Sequence, residues 1–94
     1  MEINLKKYGP IISTKEIGQE LLELIQEKLI RNTVVEIDLS SIKTMATFCA
    51  KQVFGTLYIN LTPSVFYERI KLKNANEDLK MIIRLGILNA IQNE

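Results

Sequence analysis

The 94 residues, with 12 basic and 11 acidic side chains and a net charge of +1, provide enough chain for one hydrophobic core and too little for two. Such a balance gives only weak long-range attraction to nucleic acid or an anionic membrane, so composition does not point to either. No histidine and one cysteine, Cys49, remove the usual zinc ligands, the commonest general base and any internal disulfide. The chain therefore reads as a single domain over 1–94 with no catalytic, cofactor-binding or metal-ligating residues. A lone thiol suits a reducing compartment, Met1 to Lys7 lacks the pattern of a signal peptide, and no run approaches the ~18 apolar residues of a membrane span. A soluble cytoplasmic protein is expected.

In chain order, Ile3-Asn4-Leu5 alternates like a short strand and breaks at Gly9-Pro10, with Ile11-Ile12 extending the pairing beyond that turn. Ser13 and Glu16 form a capping-box signature, so a helix is expected from Thr14 to about Arg31-Asn32, with Ile17, Leu21, Leu24, Ile25 and Leu29 on its apolar side. Thr33 to Leu39 is β-branched and alternating, with Val35, Ile37 and Leu39 on one face, and reads as the central strand.

Ser40 and Ser41 form a polar loop after it, and Ala46, Ala50, Val53, Phe54, Leu57 and Leu61 mark a second helix over 46–61, capped by Thr44 or Thr47. Thr62-Pro63-Ser64 breaks that helix, and Val65 to Leu72 reads as a third strand. Asn74 with Glu77 is expected to open the last helix, about 75–92, with Leu79, Ile82, Ile83, Ile87 and Ile91 on one side. A second stripe, Met81, Leu85 and Leu88, faces away. It is either a homodimer or partner face or a surface buried under the N-terminal segment. The order β-α-β-α-β-α with short connections predicts a small α/β domain: a mixed sheet with helices packed on it and some parallel pairing.

Val34 to Ile42, with a strand ending at Asp38-Leu39-Ser40-Ser41, and Thr47 to Gly55, ending in Phe54-Gly55, resemble the STAS-like family of unknown function. Asp38, Ile42, Ala50, Phe54 and Gly55 keep their places in that pattern, and the similarity runs from Ser13 to Asn74. Cys49 stands where the family has a phenylalanine, and Phe48, one position earlier, is the candidate to supply that ring. Lys51 and Gln52 occupy positions often acidic in relatives, which implies a partner contact of different electrostatics.

The resemblance implies a STAS-like fold and, through the related anti-sigma factor antagonist domains, a protein-interaction module with a protein partner, conceivably a GHKL-type ATPase or kinase. In those domains a serine at this helix start is phosphorylated, and Thr47 is the nearest hydroxyl here. The candidate partner surface is accordingly Ser40, Ser41, Thr47, Lys51 and Gln52. Thr47 is otherwise an N-cap. Asp38 lacks a second acid or a base and reads as an organiser of the Ser40-Ser41 loop, while Cys49 reads as a small buried apolar group. The rival reading is a small-ligand or nucleotide-binding domain using the loop from Ser40 to Thr47. An enzyme is the least favoured.

Overall fold

The structure, a computed structural model, describes residues 1–92. The chain runs through β1 (Glu2–Asn4), a 3₁₀ turn (Lys6–Tyr8), β2 (Ile11–Ile12), α1 (Lys15–Arg31), β3 (Val35–Asp38) and β4 (Thr44–Met45). There follow α2 (Thr47–Ala50), a π-helical segment (Lys51–Gly55), α3 (Thr56–Leu61), α4 (Pro63–Arg69), β5 (Ile70–Lys73) and α5 (Glu77–Gln92). Strands β1, β3 and β5 form a three-stranded sheet in the order β1-β3-β5, and β2 pairs with β4; every pair is parallel. The α/β class and the central place of β3 are as expected, while the pairing, expected to be mixed, is parallel in both sheets.

Register explains how the main sheet divides its two faces. Ile3 pairs with Ile37, and Ile37 with Leu72, so the apolar positions of the three strands point to the helices. Because side chains alternate across a strand, Glu2, Asn4, Glu36, Asp38, Lys71 and Lys73 fall together on the opposite face. Parallel sheets are usually covered on both faces, and here the uncovered one is polar instead. Its charges compensate across strands: Lys73 Nζ lies 2.9 Å from Glu2 Oε2 and 3.9 Å from Glu36 Oε2. The carboxylates of Glu2 and Glu36 hold the Lys73 ammonium above its ordinary pKa, Glu2 first by hydrogen bond and charge.

On the apolar face, Leu21, Ile25, Val35, Ile37, Leu39, Val53, Phe54, Leu57 and Leu79 are buried in one continuous cluster. The π-helical segment lies at its centre, packed against both α1 and α5. Val53, Phe54 and Gly55 are therefore all buried in succession, where a regular amphipathic stripe would bury two of three.

Four local expectations are corrected. The α1 cap is Thr14, whose hydroxyl oxygen accepts the Ile17 amide at 3.2 Å, and not Ser13. Asn76 replaces Asn74 at the start of α5, its Oδ1 accepting the Leu79 amide at 2.8 Å. Neither Thr44 nor Thr47 caps the second helix: Thr44 belongs to β4, and Ala46 occupies the cap position with no side-chain bond. Residues 63–69 are helix, so the third strand starts only at Ile70.

That last difference has a tertiary cause. Pro63 occupies the first helical position, where its fixed φ suits the turn, and the Phe66 amide donates to Thr62 O at 2.9 Å. Phe66 and Tyr67 then meet Tyr58 of α3 edge to face, with ring centroids 5.3 and 6.0 Å away. Aromatic residues that suit a strand are held helical by that cluster. At the end of α4 the Arg69 guanidinium donates to the carbonyls of Leu29, Asn32 and Thr33, closing the C-terminus of α1 against β5.

Candidate functional site

The carboxyl ends of the parallel strands gather Asn4, Asp38 and Asn74 on the polar face. Asn4 and Asp38 are direct register partners, and Asn74 follows β5 with φ of 61°, a left-handed conformation that asparagine tolerates. Asp38 accepts Asn4 Nδ2 at 3.2 Å, Asn74 Nδ2 at 3.0 Å and the Ser40 backbone amide at 3.0 Å. The Asn74 amide, followed by the Ser40 amide, holds this carboxyl below its ordinary pKa. Asp38 does organise the Ser40 turn, as the sequence implies. The clamping roles of Asn4 and Asn74 are not visible in the sequence, because they depend on a register that only pairing fixes.

The rest of the turn is held from below. A Cβ on Gly9 would stand 2.5 Å from Ser41 O, and the Lys43 amide donates to Pro10 O at 2.8 Å. Ser40 is exposed and Ser41 half-buried.

The structure does not run this turn straight into the second helix. Strand β4 intervenes, paired to β2, with the Ala46 amide donating to Ile12 O at 2.8 Å. Ser40 and Ser41 thus stand at the end of β3, whereas Thr47 stands at the end of β4. Thr47 is the first helical residue and is exposed, and Lys51, one turn on, is half-exposed. Gln52 faces inward: its Nε2 donates to Lys15 O at 3.0 Å and to Gln19 Oε1 at 3.4 Å, tying the π-helical segment to α1.

Phe48 corrects another expectation. It does not take the inward position that Cys49 occupies; the residue is 52% exposed beside Thr47. Cys49 is the buried neighbour, with Sγ 3.4 Å from Thr14 O and its thiol pKa pushed up by burial. An exposed aromatic next to an exposed hydroxyl and a lysine is the feature that reading the second helix as one amphipathic stripe does not single out.

Met81, Leu85 and Leu88 lie on the outer side of α5, 60%, 43% and 45% exposed. The N-terminal segment does not cover them, so the burial alternative for this stripe fails. No helix among the described residues is long and apolar enough to cross a membrane.

Comparison with known proteins gives one family. Searches among curated proteins and among solved structures return no match. A family model described as a STAS-like domain of unknown function (DUF4325) matches residues 18–80, from the first turn of α1 through β3, the Asp38–Ser40 turn, the second helix and β5 into α5. That span includes every strand of the main sheet except β1, and with it Asp38, Ala50, Phe54 and Gly55. The chain belongs to the STAS-like DUF4325 family.

Proposed function

We propose that this chain is a non-enzymatic regulatory protein-interaction module whose partner docks on the start of the second helix, over Thr47, Phe48 and Lys51. The carrying observation is Phe48: an aromatic residue 52% exposed on the first turn of a helix anchored by a buried core beneath it. Large aromatics contribute strongly at interfaces, and residues three and four apart on a helix share a face, so Phe48, Thr47 and Lys51 form one patch. Ser40 and Ser41 contribute a second, polar contact at the end of β3. Gln52 supports the patch from below through its bonds to α1.

The chemistry of these side chains favours binding over catalysis. Asp38 is spent on Asn4, Asn74 and the Ser40 turn, and the Cys49 thiol is buried with its pKa raised. Phosphorylation of Thr47 would place about −1.5 to −2 charges beside the Phe48 ring and the Lys51 ammonium, changing both the shape and the sign of the patch. A GHKL-type ATPase or kinase is the partner class that the likeness to anti-sigma factor antagonists suggests, and the lone buried thiol suits a cytoplasmic setting.

The test is affinity capture followed by titration of the recovered partner against wild type, Thr47→Glu and Phe48→Ala. Weakened binding by both variants supports the proposal. Unchanged affinity for both sinks it, and a footprint confined to Met81, Leu85 and Leu88 would move the interface to α5. A nucleotide-dependent rise in melting temperature without a protein partner would instead favour ligand binding by residues 40–47.

A further inference from the structure

Between α4, β5 and α5 lies a groove of about 460 Å³, within the ~300–1,000 Å³ usual for small-molecule sites. Phe66, Ile83 and Ile87 give it a buried to half-buried apolar floor, with the more exposed Leu72 and Tyr67 at its edge. Lys80 and Arg84, one helical turn apart on α5, supply its charge, and among the described residues no acidic side chain lines it. Lys80 is partly offset by Glu77 at 3.4 Å, whereas Arg84 makes no ion pair among the described residues. A guanidinium without a partner at the mouth of an apolar groove is complementary to an oxyanion carried on an apolar body.

We infer that this groove binds a small amphiphilic oxyanion, with an aliphatic or aromatic body on Phe66, Leu72, Ile83 and Ile87 and its anionic head on Arg84. The site is distinct from the patch at Phe48 and does not depend on it. A protein strand is the less suitable occupant. β5 is an edge strand of only four residues, which offers few backbone bonds for an added strand, while the groove's volume suits a compact body. The shared recognition chemistry is the oxyanion, and a carboxylate and a phosphate monoester are its two sources.

The test is a nuclear magnetic resonance titration of the isotopically labelled full chain with octanoate, 4-phenylbutyrate and octyl phosphate, each below its micelle point. Octanol and 4-phenylbutanol serve as uncharged controls. Saturable amide shifts at Leu72, Asn74, Arg84 and Ile87 are expected, with the alcohols binding about tenfold or more weakly. The stronger of the carboxylate and phosphate arms identifies the head group. Arg84→Gln should weaken the anions about tenfold and leave both the alcohols and the melting temperature unchanged. Leu72→Trp, which narrows the groove from its exposed edge, should weaken anions and alcohols alike. The inference is overturned by the absence of saturable shifts, by alcohols that bind as well as the anions, or by Arg84→Gln binding as wild type does. Shifts centred on Met81, Leu85 and Leu88 would equally overturn it.

Discussion

Gly86 and Ala50 meet backbone to backbone: a Cβ on Gly86 would stand 2.6 Å from both the Cβ and the carbonyl carbon of Ala50. Gly55 continues the contact, since a Cβ there would fall 2.7 Å from Ala90 Cβ. Small residues on both helices let α5 cross the second helix at its π-helical segment, which is how the core closes on the side away from α1. Gly86→Ala should therefore destabilise the fold by roughly 1–3 kcal/mol through overpacking. Alanine's better helix propensity, worth about 1 kcal/mol, works in the opposite direction. Urea denaturation of the two proteins checks this, and equal or greater stability of the variant would show that the helices do not cross so closely.

Phe54 is fully buried beneath that crossing. Truncation to alanine should cost roughly 3–5 kcal/mol, the sum of lost burial and an unfilled cavity. An unchanged melting curve would contradict its place in the core.

Arg69 should matter more than a half-exposed arginine usually does. Arg69→Met keeps much of the aliphatic stem and leaves the carbonyls of Leu29, Asn32 and Thr33 without their donor, an expected cost of about 1–3 kcal/mol. Hydrogen exchange should show the last turn of α1 opening more often in the variant. Protection equal to wild type would mean water replaces the guanidinium without loss.

The lowered pKa of Asp38 makes a pH prediction. A carboxyl whose pKa is lower folded than unfolded contributes stability above the unfolded value, and that contribution is lost as pH falls through the folded value. The stability difference between wild type and Asp38→Ala should thus be present at neutral pH and shrink as pH drops below the ordinary carboxylate range near 3.8. Denaturation series at several pH values measure it. A difference that does not change with pH would show that the Asn74 and Ser40 bonds do not favour the ionised form.

Thr47 separates fold from function. Its hydroxyl makes no capping bond, so Thr47→Ala should change stability by no more than about 0.5 kcal/mol, as at an ordinary surface position. Thr47→Glu should fold equally well and lose affinity for the partner. A large stability loss in Thr47→Ala would return this residue to the role of a structural cap.

Helices α1 and α5 and the central strand with its inward face could be read from the residues alone, because Val35, Ile37 and Leu39 alternate strictly and both helices carry apolar stripes at helical spacing. Burial of Cys49 and the tie from Asp38 to the Ser40 turn were also legible, since each follows from a side chain and its near neighbours in the chain. The remaining features depend on contacts between distant parts of the chain. Residues 63–69 are helical because Tyr58 packs against Phe66 and Tyr67, a contact that local β-propensity does not report. Strand β4 divides the expected loop because Ile11 and Ile12 lie beside Thr44 and Met45 after a long excursion of the chain. The exposed ring of Phe48, the Asn4–Asp38–Asn74 cluster and the Arg84 groove share that origin. Each joins or turns residues according to register and helix crossing, which distant parts of the chain fix together.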